Sequence, residues 1–578
     1  MKHLFNTLLF CLLAVSITQA QSLKTTFSEE TVLKGKNKGY TDNFIAETKD
    51  KLYLKLSQKG DRAIQMIDKK TMRPVKKINL KPKKGGSWYW SYRVIDSGIL
   101  VLYINKNKKD KKVRDVFASK YDWDLKRQFS FKEVTTYDPR IEDITITAQE
   151  GGDKLALLRQ KYVEEGDPIT LEYQIFDENL EYLNLGQQEL DLVSKISLKK
   201  ARKRNSTIIY KFDYTSGNEL VAPLFVSKDS DPQGAYFLEF INVEKNTRNS
   251  EKIKLENDAF FDYLQLFLDG DEMIVTGFYS DAGKKSKIFS KEKTTYNTSG
   301  MDGTFFKRYN VKTKKLLNAH QTPFSDEMLF TINNQNPAKR KQIKKNKKKG
   351  NFDDDVSDAY RIRKVLYDDK KKTATFYCEY VNNYSVTTTT RSGNVTTTTT
   401  TYYSIRGNLF YFEMSMKDGD INYVNSIRKY QMLSSSSSSI YNFTSMRVVN
   451  KGSEDIVLFY SDRMYNERNK DDLKGEAFKT KKLKQNYIAA TINKTNGNFD
   501  LEYPKMSNTK LKPQQKVQFG TVLMSNYDNT FYTVNSGSKL NIPFAVACGV
   551  AVVVGWYVWY LSPGNRSHEV YTISKVEY

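Results

Sequence analysis

Histidine and cysteine are nearly missing from this chain, with three of each in 578 residues. Beyond the first twenty residues only His320 and His568 remain. That excludes the usual His-rich zinc sites and the metalloprotease motif, and it argues against a Ser-His-Asp triad. Cys378 and Cys548 are the two remaining cysteines. A chain of this length builds a core without staples, so no disulfide framework is expected. Proline is scarce, at 12 residues. No nucleophile elbow, phosphate-binding loop or dinucleotide fingerprint stands out. What is abundant is lysine with arginine, 92 against 67 acidic residues, and tyrosine with phenylalanine, 38 and 32. Aromatic enrichment suits sheets.

The first twenty residues read as a secretory leader. Lys2 and His3 give a basic start, Leu4 to Val15 an uncharged apolar run, and Thr18-Gln19-Ala20 a small-residue cleavage pattern before Gln21. Cys11 is not a lipidation site, because bulky Phe10 precedes it. The expected location is therefore the periplasm or cell envelope. The formal charge of +25 becomes +24 once Lys2 leaves with a leader that holds no acidic residue. A field of that sign draws anionic partners such as lipid headgroups or acidic glycans; the plainer reading is a lysine-rich surface that keeps the protein soluble.

One grammar recurs along the chain. In 144–185, "ITITAQ" alternates, "EGGD" turns, "KLALLRQKYV" returns, and "TLEYQIF" leads through "DENL" to "EYLNL". Strand, turn, strand, loop, strand, turn, strand repeats seven times, with second strands beginning near residues 52, 99, 154, 219, 272, 373 and 455. "GFYSDAG" and "LFYSDRM" place Phe-Tyr-Ser-Asp at the end of a second strand in two of the copies. A lone four-stranded sheet leaves its edges and an apolar face open, and radial stacking of such units covers them. The turn positions resemble those of the β-propeller class, in particular divergent lysine-rich propeller-like proteins exported by bacteria, across about residues 42–503. The resemblance brings no functional residues with it. The predicted fold is all-β: a propeller of seven four-stranded blades over 21–540, or eight if the hairpin at 517–537 begins another.

Three segments interrupt the repeat. Lys339, Arg340, Lys341, Lys344, Lys345, Lys347, Lys348 and Lys349 crowd eight cations into eleven residues. This run is a solvated loop by one reading and a capture element for an anionic polymer or membrane surface by the other. It has no aromatic residue for base stacking, which argues against nucleic acid. "SVTTTTRSGNVTTTTTTYYS" (385–404) predicts a hairpin projecting from the sixth unit with hydroxyls on both faces. "LSSSSSSI" (433–440) reads as a flexible connection. Finally, Ile542 to Leu561 holds twenty uncharged residues, enough for a membrane-spanning helix with Trp556, Tyr557, Trp559 and Tyr560 at one end. The same stretch, followed by "HEVYTISKVEY", also parses as closing strands. In the first parse residues 562–578 are a C-terminal tail across the membrane; in the second they belong to the propeller.

Candidate sites are few. Asp281 and Asp462 end the Phe-Tyr-Ser-Asp echoes and either cap their own turns or join a carboxylate cluster that ligates calcium. Trp88, Tyr89, Trp90 and Tyr92 are read as packing between blades rather than as a sugar platform. No other cofactor is expected. Three functions compete: an envelope binding or scaffold protein, a carboxylate-based glycan-active enzyme, and a membrane-tethered sensor or assembly factor.

Overall fold

A computed structural model describes the chain between residues 24 and 577, apart from 81–87, 162–167, 194–211, 281–300, 334–358, 436–445, 462–485, 503–515, 541–566 and shorter breaks. Seven consecutive antiparallel sheets follow one another along the sequence, at 39–79, 88–137, 142–193, 213–253, 260–323, 360–427 and 446–502. In each the four strands lie in chain order. The first strands of neighbouring sheets touch, which places them innermost, while fourth strands such as Pro74–Asn79 face solvent. This is a β-propeller.

An eighth sheet joins both ends of the chain. Lys516–Met524, Thr530–Leu540 and Ser567–Glu577 pair in sequence, and the N-terminal strands Lys24–Phe27 and Thr31–Leu33 both pair with Ser567–Glu577. Lys516–Met524 packs beside the first strand of blade 1, Gly39–Glu47, so that the eighth sheet follows the seventh back to the start. The hairpin expected at 517–537 is thus half of an eighth blade, and its outer strands come from the chain's other end.

The repeat is written most clearly in the turn between third and fourth strands. In blades 1 to 7 it opens on Asp68, Asp122, Asp177, Asn242, Asn310, Ser415 and Asn493, whose side-chain oxygens accept backbone N–H groups two or three residues on. Each turn then carries one residue at positive φ: Met72, Leu125, Leu180, Asn246, Lys314, Gly419 and Gly497. Gly and Asn accept that conformation readily. Met72, Leu125 and Leu180 adopt it because their side chains are buried in the apolar clusters of blades 1 to 3, so packing overrides local preference.

Second strands read as unbroken apolar runs, as in Gly98–Lys106, because a blade inside the ring is covered on both faces. Tyrosine hydroxyls then cross from blade to blade. Tyr53 donates to the Trp123 carbonyl, Tyr173 to Asn246 Oδ1 at 2.8 Å, and Tyr411 to the Gly497 carbonyl at 2.6 Å. Each acceptor lies in the third-to-fourth-strand turn of the following blade, so a large apolar ring packs against the neighbour and its polar tip is satisfied there. Tyr92 is half-buried against the blade 1–2 cluster, in line with a packing role; the side chains of Trp88, Tyr89 and Trp90 lie outside the described residues.

Two features depart from the sequence reading. Leu433, Ser434 and Ser435, expected in a flexible connection, belong to the strand Gln431–Ser435, which pairs with residues 402–406 of blade 6. An α-helix, Asp326–Asn333, follows blade 5. Ser325 caps it, accepting the Met328 amide on Oγ, and Met328 and Ile332 are buried in the core of blades 5 and 6.

Candidate functional site: an axial cavity

First strands line the axis of a propeller, and here those of blades 3 to 6 line a half-open cavity of about 350 Å³. Blade 3 contributes Thr147 and Ala148 with the adjoining Glu150, and blade 4 contributes Asp213 and Tyr214. Blade 5 supplies a hydrophobic wall, Leu266, Phe267 and Leu268, backed by Ile274; blade 6 supplies Lys364, Val365 and Tyr367.

Backbone and side-chain bonds fix the polar half. The Glu150 amide donates to the Tyr214 carbonyl at 2.9 Å, and Gln149 and Tyr214 form a parallel bridge. Gln149 Nε2 and Lys154 Nζ both donate to Asn218 Oδ1, at 2.9 and 3.0 Å, and the Tyr214 hydroxyl reaches the same oxygen at 3.2 Å. Burial pushes the Tyr214 phenol well above its ordinary range, keeping it neutral. On the opposite side the Arg308 guanidinium lies 3.8 Å from the Tyr367 ring centroid and is held by Glu272, with Nε 2.6 Å from Oε2. The cation over the ring face links blade 5 to blade 6. Glu150, Asp213 and Lys364 bring charge of both signs to the lining beside the apolar wall.

The site residues singled out from the sequence lie outside the described ones. The second strands Glu272–Ser280 and Glu454–Ser461 do end at the Phe-Tyr-Ser echoes, but Asp281 and Asp462 lie just beyond, outside the described residues. The basic run from Lys339 to Lys349 and the segment from Ile542 to Leu561 also lie outside them. Among the described residues no group of three or more His, Cys, Asp or Glu is placed to hold a metal, and no helix is long and apolar enough to cross a membrane. His320 serves as a link between blades, its Nε2 lying 2.9 Å from the Met416 carbonyl. Cys378 is a buried free thiol in the blade 6 core. The axial residues escaped sequence reading because they are scattered over more than two hundred positions. Only their place in first strands unites them.

The C-terminal strand settles one topological point. Leu540 and Ser567 are register partners, and Ser567–Glu577 pairs along its whole length with Thr530–Leu540. The final residues are therefore part of the propeller.

No protein-family model and no curated protein matches the chain. Among solved structures it is similar to the β-propeller domain of the Trilobed protease from Pyrococcus furiosus, at 11% identity over 72% of this chain and 94% of that one, TM-score 0.28. It is similar to the Dos1 propeller at 9% identity over 88% and 92%, TM-score 0.36, and to the polysaccharide lyase Uly1 at 8% identity over 92% and 89%, TM-score 0.29.

Proposed function

We propose that this is a binding or scaffold protein of the cell envelope, which recognises its partner at the axial cavity. The observation that carries the reading is the composition of that cavity: an apolar wall facing Glu150, Asp213 and Lys364. Among the described residues the lining holds no serine, cysteine or histidine, and loops and cavities on a rigid scaffold are where recognition sits. The partner class is an envelope protein, with the cations from Lys339 to Lys349 adding attraction for an anionic glycan or lipid surface. Ile542 to Leu561, twenty uncharged residues, would add a contact with the membrane.

The test is a pull-down from envelope fractions with the wild type and with Glu150→Gln/Asp213→Asn/Lys364→Ala. A partner recovered by the wild type and lost by the triple variant supports the reading; equal recovery by both rejects the cavity as the site. A second reading draws on the same pair of acids: Glu150 and Asp213 as the carboxylates of a glycan-active enzyme. Release of reducing ends from envelope polysaccharides by the wild type, abolished in Glu150→Gln and in Asp213→Asn, would favour it over the binding role.

A further inference from the structure

The two central strands of blade 6, Thr373–Ser392 and Val395–Ser415, run far beyond the blade. Beyond one bulge between Glu379 and Val381 they hold a single antiparallel register to Ser392↔Val395. The outward part is splinted at its base. Tyr384 and Tyr403 stack at 4.9 Å and 13°, Ser404 donates to Asn383 Oδ1 at 2.7 Å, and Gln431–Ser435 adds a third strand over residues 402–406. Beneath it, Glu379 receives Lys429 and Arg363 in a buried ion cluster. The ribbon is thus a rigid projection. At ~3.3 Å per residue, the stretch 382–392 carries its tip roughly 35 Å outward.

Among the described residues nothing covers the outer ribbon. Every residue from 382 to 392 is exposed, and Tyr384, Val386 and Met432 are exposed large apolar side chains on one face. Among the described residues, no strand pairs with the outer edge of 382–392. Natural edges are protected by lysine, proline, bulges or shortness. This edge has none of these beyond its base: in a chain with 92 lysines and arginines, residues 382–404 contain one charge, Arg391, and no proline.

We propose that this edge is an interaction surface for a second copy of the chain. Two copies would pair 382–392 with 382–392, antiparallel about a two-fold axis. The two ribbons then form one four-stranded sheet in which each open edge is satisfied by its twin. A nearly uncharged ribbon on a strongly basic chain suits a partner of the same charge sign, which a second copy is, rather than an anionic one. Two bodies carrying +25 each repel, and close contact over any lysine-rich surface brings like charges together. A nearly uncharged tip, held out by several times the ~8 Å screening length of physiological salt, lets two copies meet while their bodies stay apart. Threonine-on-threonine pairing tolerates the contact on either face, as Thr387 with Thr400 and Thr389 with Thr398 already show within one hairpin. The proposal is independent of the axial cavity.

Sedimentation velocity on the full chain at micromolar and submillimolar concentrations tests it. The wild type is expected to dimerise. Replacing residues 386–401 by Asn-Gly, a two-residue turn joining the register partners Ser385 and Tyr402, should give a monomer with an unchanged melting temperature. Thr388→Lys/Thr390→Lys keeps the hairpin but puts like charges across the two-fold axis. It should be monomeric at low salt and regain dimer at high salt. A wild type that stays monomeric throughout, a shortened chain that still dimerises, or a lysine variant that dimerises as the wild type does at low salt, each overturns the proposal.

Discussion

Blade 6 contains two opposite environments in the same pair of strands. From Thr373 to Glu379 every residue is buried, whereas from 382 to 392 every residue is exposed. Backbone pairing is continuous through both, interrupted by one bulge between Glu379 and Val381. Inside the blade, alternate residues serve two cores: Ala374, Phe376 and Cys378 face blade 5, while Tyr377 faces blade 7. Phe376 and Phe412 stack at 4.6 Å with their planes 6° apart. Outside, β-branched threonine maintains the strand without any core. Strand formation and burial are therefore separate properties here. Stability resides in the inner half, and the outer half is free to be shaped for contact.

The largest break in this contrast should come from Phe376→Ala. Removing a fully buried ring from the inner half should cost about 3–5 kcal/mol, seen as a lower denaturant midpoint. A loss within the range of a surface substitution would show that the inner half is not the stabilising part.

Lys429→Met acts at the junction. Glu379 and Lys429 are both fully buried, and removing one partner leaves a buried charge, at a cost of roughly 3 kcal/mol or more. Glu379→Leu/Lys429→Met should cost at least as much as Lys429→Met alone, since it also takes the ion-pair partner from Arg363 and the nearby carboxylate from buried Arg406. If the double variant is the more stable of the two, Arg363 and Arg406 do not depend on Glu379.

The same cluster gives a pH dependence. Burial pushes the Glu379 carboxyl up, but Lys429 and Arg363 outweigh it and hold the group below its ordinary value. A carboxyl depressed in the folded state contributes stability that is present above its unfolded pKa and lost as pH falls through the folded one. The stability gap between wild type and Glu379→Gln should therefore be widest near neutrality and shrink below about pH 4.5. Burial also lowers Lys429, to about 8. The unfolded chain then holds more protons between about pH 8 and 10.4, so this group's contribution to stability rises with pH across that window. Denaturant titrations across pH measure both limbs, and a gap that is flat from acid to neutral pH would remove Glu379 from the account.

The smallest effect belongs to the outer half. Thr388→Ala or Thr399→Ala should change stability by no more than ~0.5 kcal/mol, because neither side chain is buried. A larger loss, measured at a concentration where the chain is monomeric, would mean that the ribbon packs on something.

Much of this architecture was legible in the residues. Asp68, Asp122 and Asp177 opening turns, alternation or apolar runs between them, and the threonine tracts are local signals, and local chemistry is what a sequence displays directly. The helix at Asp326–Asn333 was legible too, in Ser325 followed by two acids, but a single capped turn carries little weight beside a dominant strand pattern. Only the tertiary structure decided that the two chain ends share an eighth blade, that Ser567–Glu577 is one of its central strands, and that Glu150, Asp213, Leu266 and Lys364 meet around the axis. Those outcomes depend on ring closure, which sets residues hundreds of positions apart side by side. No short-range preference encodes that distance, so the sequence determined the blades, and the packing of blade upon blade determined the site.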